Sequence, residues 1–302
     1  MCAAIFLDGG NLLVYQILFI KVIQSKSRYR GFNEKMELDI QVKSLYRAQR
    51  KRHIFSESDE KPYKLSRSRI ENFIRCQRCF FLDRKCGTEQ PPMFPYTLNN
   101  TVDALLKREF DQYRSENKSH PYLIEHGIDA IPFSHSELDN WRMNQRGIKY
   151  YHEATNFIVT GAVDDIWINS KGELIIVDYK ATSTKKDVAL DDRDSYKRQM
   201  EIYQWLFRKN GFDVSNTGYF VYCNGDSVRT EFSGMLQFKV SLLSYVGDGS
   251  WVENILYDIK SCLINNVLPD LSQTCDYCKY WDAVTKHVES YRRERKRSLW
   301  TS

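Results

Sequence analysis

The pattern of apolar and polar positions is most informative between residues 157 and 211. Leu174 to Val177 is an unbroken apolar run containing two isoleucines and a valine, the length and β-branched content of a strand covered on both faces. Asp178 and Lys180 follow directly. Side chains two apart on a strand project the same way, so this carboxylate and ammonium emerge together at the strand's end. Upstream, FIVTGAVDDIWI (157–168) is strand-like and is separated from the apolar run by Asn169-Ser170-Lys171-Gly172. That turn predicts a hairpin, which brings Asp164 next to Asp178. Downstream, SYKRQMEIYQWLFRKNG (195–211) has helical spacing, with Gln199 and Tyr203 four apart on one face.

The flanking segments add further elements. LSRSRIENFIRCQRCFFLDRKCG (65–87) opens with a helix, capped by Ser66 or by Ser68 with Glu71 in capping-box spacing. QPPMFPYTLNN is a proline-rich loop leading into the helix TLNNTVDALLKREFDQYR (97–114), and SHSELDNWRMNQRG reads as a short helix capped by Ser134 or Ser136. TGYFVYCNG (217–225) and SVRTEFSGMLQFKVSLL (227–243) are strand-like, the first ending at the hairpin signal Asn224-Gly225. SWVENILYDIKSCLINN (250–266) is helical. Strands interleaved with helices in this order predict an α/β fold with a central mixed β-sheet flanked by helices.

Composition narrows the class without naming a function. The chain has 302 residues, 42% hydrophobic and 27% charged, enough length to bury a sizeable core in one globular unit. A net charge of +5 permits a polyanionic partner without requiring one. Aromatics at 14% suit either a large core or base-stacking surfaces. The apolar stretch LLVYQILFIKVI (12–23) is too short to span a bilayer and lacks a small-residue cleavage site, so neither a membrane span nor a signal peptide is expected, and the expected location is cytoplasmic. The basic cluster in SLYRAQRKRHIFSESDEKPYK (44–64) is read as a solvated surface, with a DNA-contacting arm as the sharper alternative. The basic YRRERKRSLW near residue 300 is likewise read as solvated.

Two groups of residues carry chemistry. Asp164 and Asp178 offer the oxygen ligands that a magnesium-type cation takes alongside water and substrate phosphate, and Lys180 stands where it can orient or deprotonate a water and offset negative charge. Alone, Asp-x-Lys also describes an ordinary surface ion pair. The second group is cysteine. Cys76 and Cys79 form one Cys-x-x-Cys pair and Cys275 and Cys278 another, far apart in sequence, and together they can close one tetrahedral thiolate site joining the N- and C-terminal parts. By residue type that site suits zinc or a [4Fe-4S] cluster equally. Disulfides are disfavoured because nothing else points to secretion, and Cys2, Cys86, Cys223 and Cys262 show no pairing pattern.

A Gly-x-x-Asp strand, an apolar strand ending Asp-x-Lys and a helix with Gln-x-x-x-Tyr, in this order and spacing, resemble the RecB-type branch of the PD-(D/E)XK nuclease superfamily over roughly residues 64 to 281. The resemblance implies a restriction-endonuclease-like core at 64–281, with 1–63 an N-terminal extension and 282–302 a basic tail. It implies Asp164 and Asp178 as ligands of Mg2+ or Mn2+, Lys180 as the catalytic lysine, and Gln199 and Tyr203 as helix residues near the DNA backbone. Many relatives carry a histidine on the helix before the first core strand. Asp103 or Lys107 falls about there in this chain, making Asp103 a candidate third ligand, and Glu153 is a spare carboxylate. Iron-sulfur relatives, including nucleases of CRISPR adaptation, use one cysteine upstream and three downstream of the core; this chain has two and two. The family tips the expectation toward a cluster at Cys76, Cys79, Cys275 and Cys278, with structural zinc as the alternative. The expected function is a divalent-metal-dependent DNA nuclease in repair, recombination or CRISPR adaptation, acting on DNA. The alternative is a catalytically silent DNA-binding or scaffolding module. With no helicase motif in the chain, any helicase, recombination or CRISPR partner would be a separate protein.

Overall fold

The computed structural model describes residues 49–91 and 96–298. The apolar stretch at 12–23, the first part of the basic cluster, Cys2, the centre of the proline-rich loop and the last four residues lie outside the described residues.

In chain order the elements are β1 (Tyr63–Ser66), α1 (Arg67–Arg75), α2 (Gln77–Arg84), α3 (Thr97–Ser115), α4 (Pro121–Glu125), β2 (Ile131–Pro132), α5 (Leu138–Arg142), β3 (Ile148–His152), β4 (Phe157–Gly161), β5 (Asp165–Ile168), β6 (Leu174–Thr182), α6 (Asp194–Lys209), β7 (Thr217–Gly225), β8 (Phe238–Val246), α7 (Val252–Ile264) and α8 (Asp276–Ser298). They form two mixed sheets flanked by helices. The larger has the order β2-β5-β6-β7-β8, the smaller β1-β4-β3. In the larger sheet β6 runs parallel to β7 and antiparallel to β5.

The stretch 157–168, expected as one strand, is two. β4 joins the small sheet and β5 the large one, with Ala162 to Asp164 crossing between them. The hairpin of β5 with β6 forms around the Asn169–Gly172 turn, pairing Ile168 with Leu174 and Asp165 with Val177.

The unbroken apolar run of β6 follows from its two covered faces. Ile175, Val177 and Tyr179 lie in one core with Val102, Leu106 and Phe110 of α3 and with Trp167 and Val221. Leu174 and Ile176 lie in the other core with Met200, Ile202 and Tyr203 of α6 and with Phe220. Because strand side chains alternate, Asp178 and Lys180 continue the α6-facing phase and Tyr179 the α3-facing one. Phe110, fully buried, stacks between His120 at 4.1 Å and Trp167 at 5.5 Å and seats α3 on the sheet.

Three local expectations resolve differently. Ser66 occupies the N-cap of α1, yet its hydroxyl bonds that of Ser68 at 3.0 Å and not a helix amide, while Glu71 takes a paired bond from Arg198 on α6. The short helix α5 begins at Leu138 with Glu137 at its N-cap, so neither Ser134 nor Ser136 caps it. Asn224 and Gly225 are strand residues paired with Lys239 and Phe238, and the β7–β8 connection is a long loop beyond them. No described helix is long and apolar enough to cross a membrane.

Candidate active site and cysteine centre

The strand pairing that builds the large sheet also opens it. β5 ends its pairing with β6 at Asp165 opposite Val177, whereas β7 accompanies β6 as far as Thr182. Beyond Val177, β6 therefore has a free edge toward the incoming chain. Asp164 fills it: its carboxylate accepts the Tyr179 backbone N–H at 2.9 Å, which places the residue beside the Asp178-to-Lys180 end of the strand.

Asp178 is fully buried. Its carboxylate accepts a bond from Gln199 Nε2 at 2.6 Å and faces the Lys180 ammonium. The same amide donates to the Tyr203 hydroxyl at 3.2 Å, and its oxygen lies 3.5 Å from Lys180 Nζ. Gln199 thus spans Asp178, Lys180 and Tyr203, which requires all four side chains on the face where β6 and α6 meet. Burial pushes the Asp178 carboxyl up to about 6 against the pull of Lys180, and the neighbouring Asp164 charge adds to the rise. For Lys180, burial acts downward, but the charges of Asp178 and Asp164 outweigh it and hold the ammonium above its ordinary value. Its Nζ also sits 4.6 Å from the centre of the Tyr196 ring. Burial raises the Tyr203 phenol, with the Arg67 guanidinium bonded to its oxygen acting in the opposite sense.

Gly161 of the Gly-x-x-Asp motif has a steric reason to be glycine. A Cβ there would fall 2.6 and 2.8 Å from ring carbons of Tyr203. The β4 backbone packs flat against that ring, which helps hold the hydroxyl under Gln199.

Asp164 and Asp165 are adjacent and do different work, since successive strand positions face opposite ways. Asp165 is fully buried on the α3 side. It accepts bonds from Arg114, from Arg142 at 2.7 Å, from the Tyr179 hydroxyl at 2.8 Å and from the Ile166 amide at 2.9 Å. With its lone pairs so committed, it locks α3, α5 and β6 together and is not free to bind an ion. Asp164 is half-buried and lines an open cleft of about 510 Å³ together with Arg67, Asn99, Asp103, Lys107, Arg142 and Lys180 among others.

The α3 position expected to complete the metal site holds an ion pair. Lys107 Nζ lies 2.8 Å from Asp103 and 3.6 Å from Asp164. Burial and the charge of Asp164 raise the Asp103 carboxyl despite that lysine. Asp103, Asp164 and Asp178 do not form a closed cage: among the described residues, only the four cysteines gather as three or more donors close enough to hold an ion. The oxygen set nevertheless suits a hard divalent ion, which needs one or two carboxylates and keeps waters for the rest. Glu153 is exposed on a single turn of 3-10 helix between β3 and β4 and lies outside the cleft lining.

Reading along the sequence missed Arg67, Tyr196 and the Asp165–Arg114–Arg142 cluster. Arg67 is one of several basic residues in a helix start and carries no distinguishing spacing. Arg114 and Arg142 lie 51 and 23 residues before Asp165, so no local spacing in the sequence pairs them with it.

Across α1 from Arg67, Cys76 is the N-cap of α2, and Cys275 directly precedes α8. The sulfurs of Cys76 and Cys278 are 3.5 Å apart, those of Cys79 and Cys275 3.7 Å, and those of Cys79 and Cys278 3.9 Å, with all four within 4.8 Å of one another. Burial pushes the Cys76 thiol up to about 11 and raises Cys79 as well. At Cys275 burial also acts upward, but the backbone N–H groups of Cys278 and Tyr277 and the neighbouring thiols bring it below its ordinary value. Protonated thiols this close gain little from one another, so the donor set fits a bound cation that displaces the protons.

A family model for the PD-(D/E)XK nuclease superfamily matches residues 64–283. No curated protein matches the chain. Among solved structures, that of SSO0001 is similar, with 13% identity over 71% of this chain and 80% of that one and a TM-score of 0.35. With nearly the whole described domain inside the matched region, the chain belongs to the PD-(D/E)XK nuclease superfamily.

Proposed function

We propose that this protein is a divalent-metal-dependent deoxyribonuclease that hydrolyses phosphodiester bonds at the open end of β6. The observation that carries this reading is the placement of Asp164 and Lys180 on the cleft with the buried Asp178 against Lys180, and with Gln199 spanning Asp178, Lys180 and Tyr203. Asp164 and Asp178 would hold Mg2+ or Mn2+, with Asp103 within reach of the same cleft; when bound, the ion polarises the phosphodiester and acidifies a coordinated water. Lys180 enters as an ammonium. It donates a hydrogen bond to a phosphate oxygen and offsets the charge that accumulates as the water oxygen bonds to phosphorus and the P–O bond to the leaving oxygen breaks; the water's proton leaves to solvent, and the leaving oxygen takes one from solvent. Gln199 fixes both partners so that neither has to reorganise. Arg67 and Arg142 lend positive charge to the cleft wall, which suits a phosphate backbone.

One observation favours the second reading, a silent DNA-binding module. Lys107 already supplies a positive charge between Asp103 and Asp164, so an ion entering there has to displace it. End-labelled single-stranded, duplex and circular DNA, each incubated with Mg2+ or Mn2+, separates the two. Metal-dependent cleavage that Lys180→Ala abolishes supports the nuclease, and DNA binding without cleavage under any metal supports the silent module. The RecB-type resemblance points the role toward repair, recombination or CRISPR adaptation in the cytoplasm, with any motor supplied by a partner chain.

A further inference from the structure

We infer that Cys76, Cys79, Cys275 and Cys278 hold a single tetrahedral zinc ion and not the iron-sulfur cluster used by relatives of this type. The inference concerns a site apart from the cleft and stands or falls separately from the nuclease reading. A zinc ion bonded to four thiolates at about 2.3 Å sets the sulfurs roughly 3.8 Å apart along each tetrahedral edge. The sulfur separations of 3.5, 3.7 and 3.9 Å bracket that value, and no pair exceeds 4.8 Å. A [4Fe-4S] cluster places a different iron behind each thiolate, so its sulfurs must stand farther apart by about the width of the iron core. There is no space for that core between these four. The neighbouring hollow of about 810 Å³ is lined by Cys76 alone among the four, and by Asp258, Ser261, Cys262 and Asn265 on its other side, so it is not the interior of the site.

The way the chain presents the sulfurs agrees. Both pairs are built alike. Cys76 is the N-cap residue of α2, and its sulfur accepts the Cys79 backbone N–H at 3.4 Å. Cys275 precedes α8, and its sulfur accepts the Cys278 backbone N–H. Each Cys-x-x-Cys therefore wraps one helix start, where exposed N–H groups and the helix dipole favour thiolate charge. Two such turns facing each other deliver two sulfurs apiece to a common centre, the arrangement of a closed structural zinc site. The two-and-two division of cysteines, which departs from the one-and-three division of the cluster-bearing relatives, is the sequence counterpart of this geometry.

The test uses the full chain, expressed with iron and zinc both supplied and purified without oxygen. Metal analysis is expected to give one zinc per chain, no acid-labile sulfide and no visible absorption. Replacing the ion with Co2+ is expected to produce the strong visible ligand-field bands of a tetrahedral thiolate site. Because a serine variant at these positions can fail to fold, Cys275→His serves as the second probe. Zinc accepts three sulfurs and one imidazole, so one zinc per chain should remain. Cys86→Ser, at an exposed cysteine outside the group, should leave the metal content unchanged. About four irons with matching labile sulfide after anaerobic reconstitution, or a chain that folds with no bound metal, overturns the inference.

Discussion

At the scale of single residues, Asp178 and Lys180 are an ion pair whose two members answer to opposite demands, and this makes their roles separable. Lys180→Ala is expected to leave DNA and metal affinity within a few-fold while single-turnover cleavage falls by roughly 10²–10⁴, because a charge offset realised in the transition state shows in rate and not in ground-state binding. An unchanged rate would remove Lys180 from the chemistry. Asp178 gives a pH prediction with a definite sign. Its folded-state value, raised to about 6, means that the folded chain keeps a proton that an unfolded chain has already lost. As pH rises from about 4 to 6, this group therefore withdraws stability, and the loss is complete above 6. An ion has to displace that proton, so Mg2+ or Mn2+ affinity should rise about tenfold per pH unit up to 6 and level off beyond it, as titration calorimetry across pH 5 to 8 would show. Gly161→Ala belongs to the same scale. Its Cβ collides with the buried Tyr203 ring, so a loss of about 1–3 kcal/mol in denaturant-monitored stability is expected. Spacing paired Asp178 with Lys180 and Gln199 with Tyr203, and the turn brought Asp164 to Asp178, but joining the two sets into one site rested on the family resemblance. Spacing had no means of showing that Asp165 is consumed by Arg114, Arg142 and Tyr179, since those partners are distant in sequence.

At the scale of elements, the free edge of β6 is the feature that turns a hairpin into a cleft, and α3 forms its opposite wall. The apolar run of β6 and the turn at 169–172 were legible because both are local signals. The division of 157–168 between two sheets was not, because the crossing at Ala162 to Asp164 is set by where Gly161 meets Tyr203 and where β5 meets β6. Ser66 stands at the expected N-cap of α1, but the capping box does not close, because Glu71 is held by the two-pronged bond from Arg198 on α6. On α3, Asp103 and Lys107 act on the cleft in opposite directions. Asp103→Ala removes an oxygen near Asp164 and is expected to weaken divalent-metal affinity several-fold. Lys107→Ala removes a resident positive charge paired with Asp103 and Asp164 and is expected to strengthen it. Measured by calorimetry on both variants, shifts of the same sign would show that this pair does not face the ion.

At the scale of the whole molecule, the cysteine centre joins segments that the backbone alone leaves weakly connected. The large sheet is held from both faces by α3 and α6, and its cores do not depend on the thiolates. The start of α8 is different. Cys278 is buried, but Tyr280, Trp281 and Tyr291 of the same helix are exposed, so the apolar contact anchoring α8 is small and the four-thiolate site is where a bound ion would attach it. Ion binding by a site of this kind is folding energy for whatever it ties down. Removal of the ion should therefore act on two scales at once: α8 detaches from α2, and the Cys76 end of α2 loses its anchor, while the sheet and cleft remain assembled. Chelation with a strong zinc ligand is expected to lower Tm by roughly 10 °C, corresponding to a few kcal/mol in a domain of this size. It should also make amides of α8 exchange freely and leave those of β6 and β7 protected. Hydrogen exchange read element by element distinguishes this from general unfolding. Uniform loss of protection across β6 and α8 would mean that the centre supports the entire domain, and unchanged protection in α8 would mean that the helix is held by contacts other than the metal.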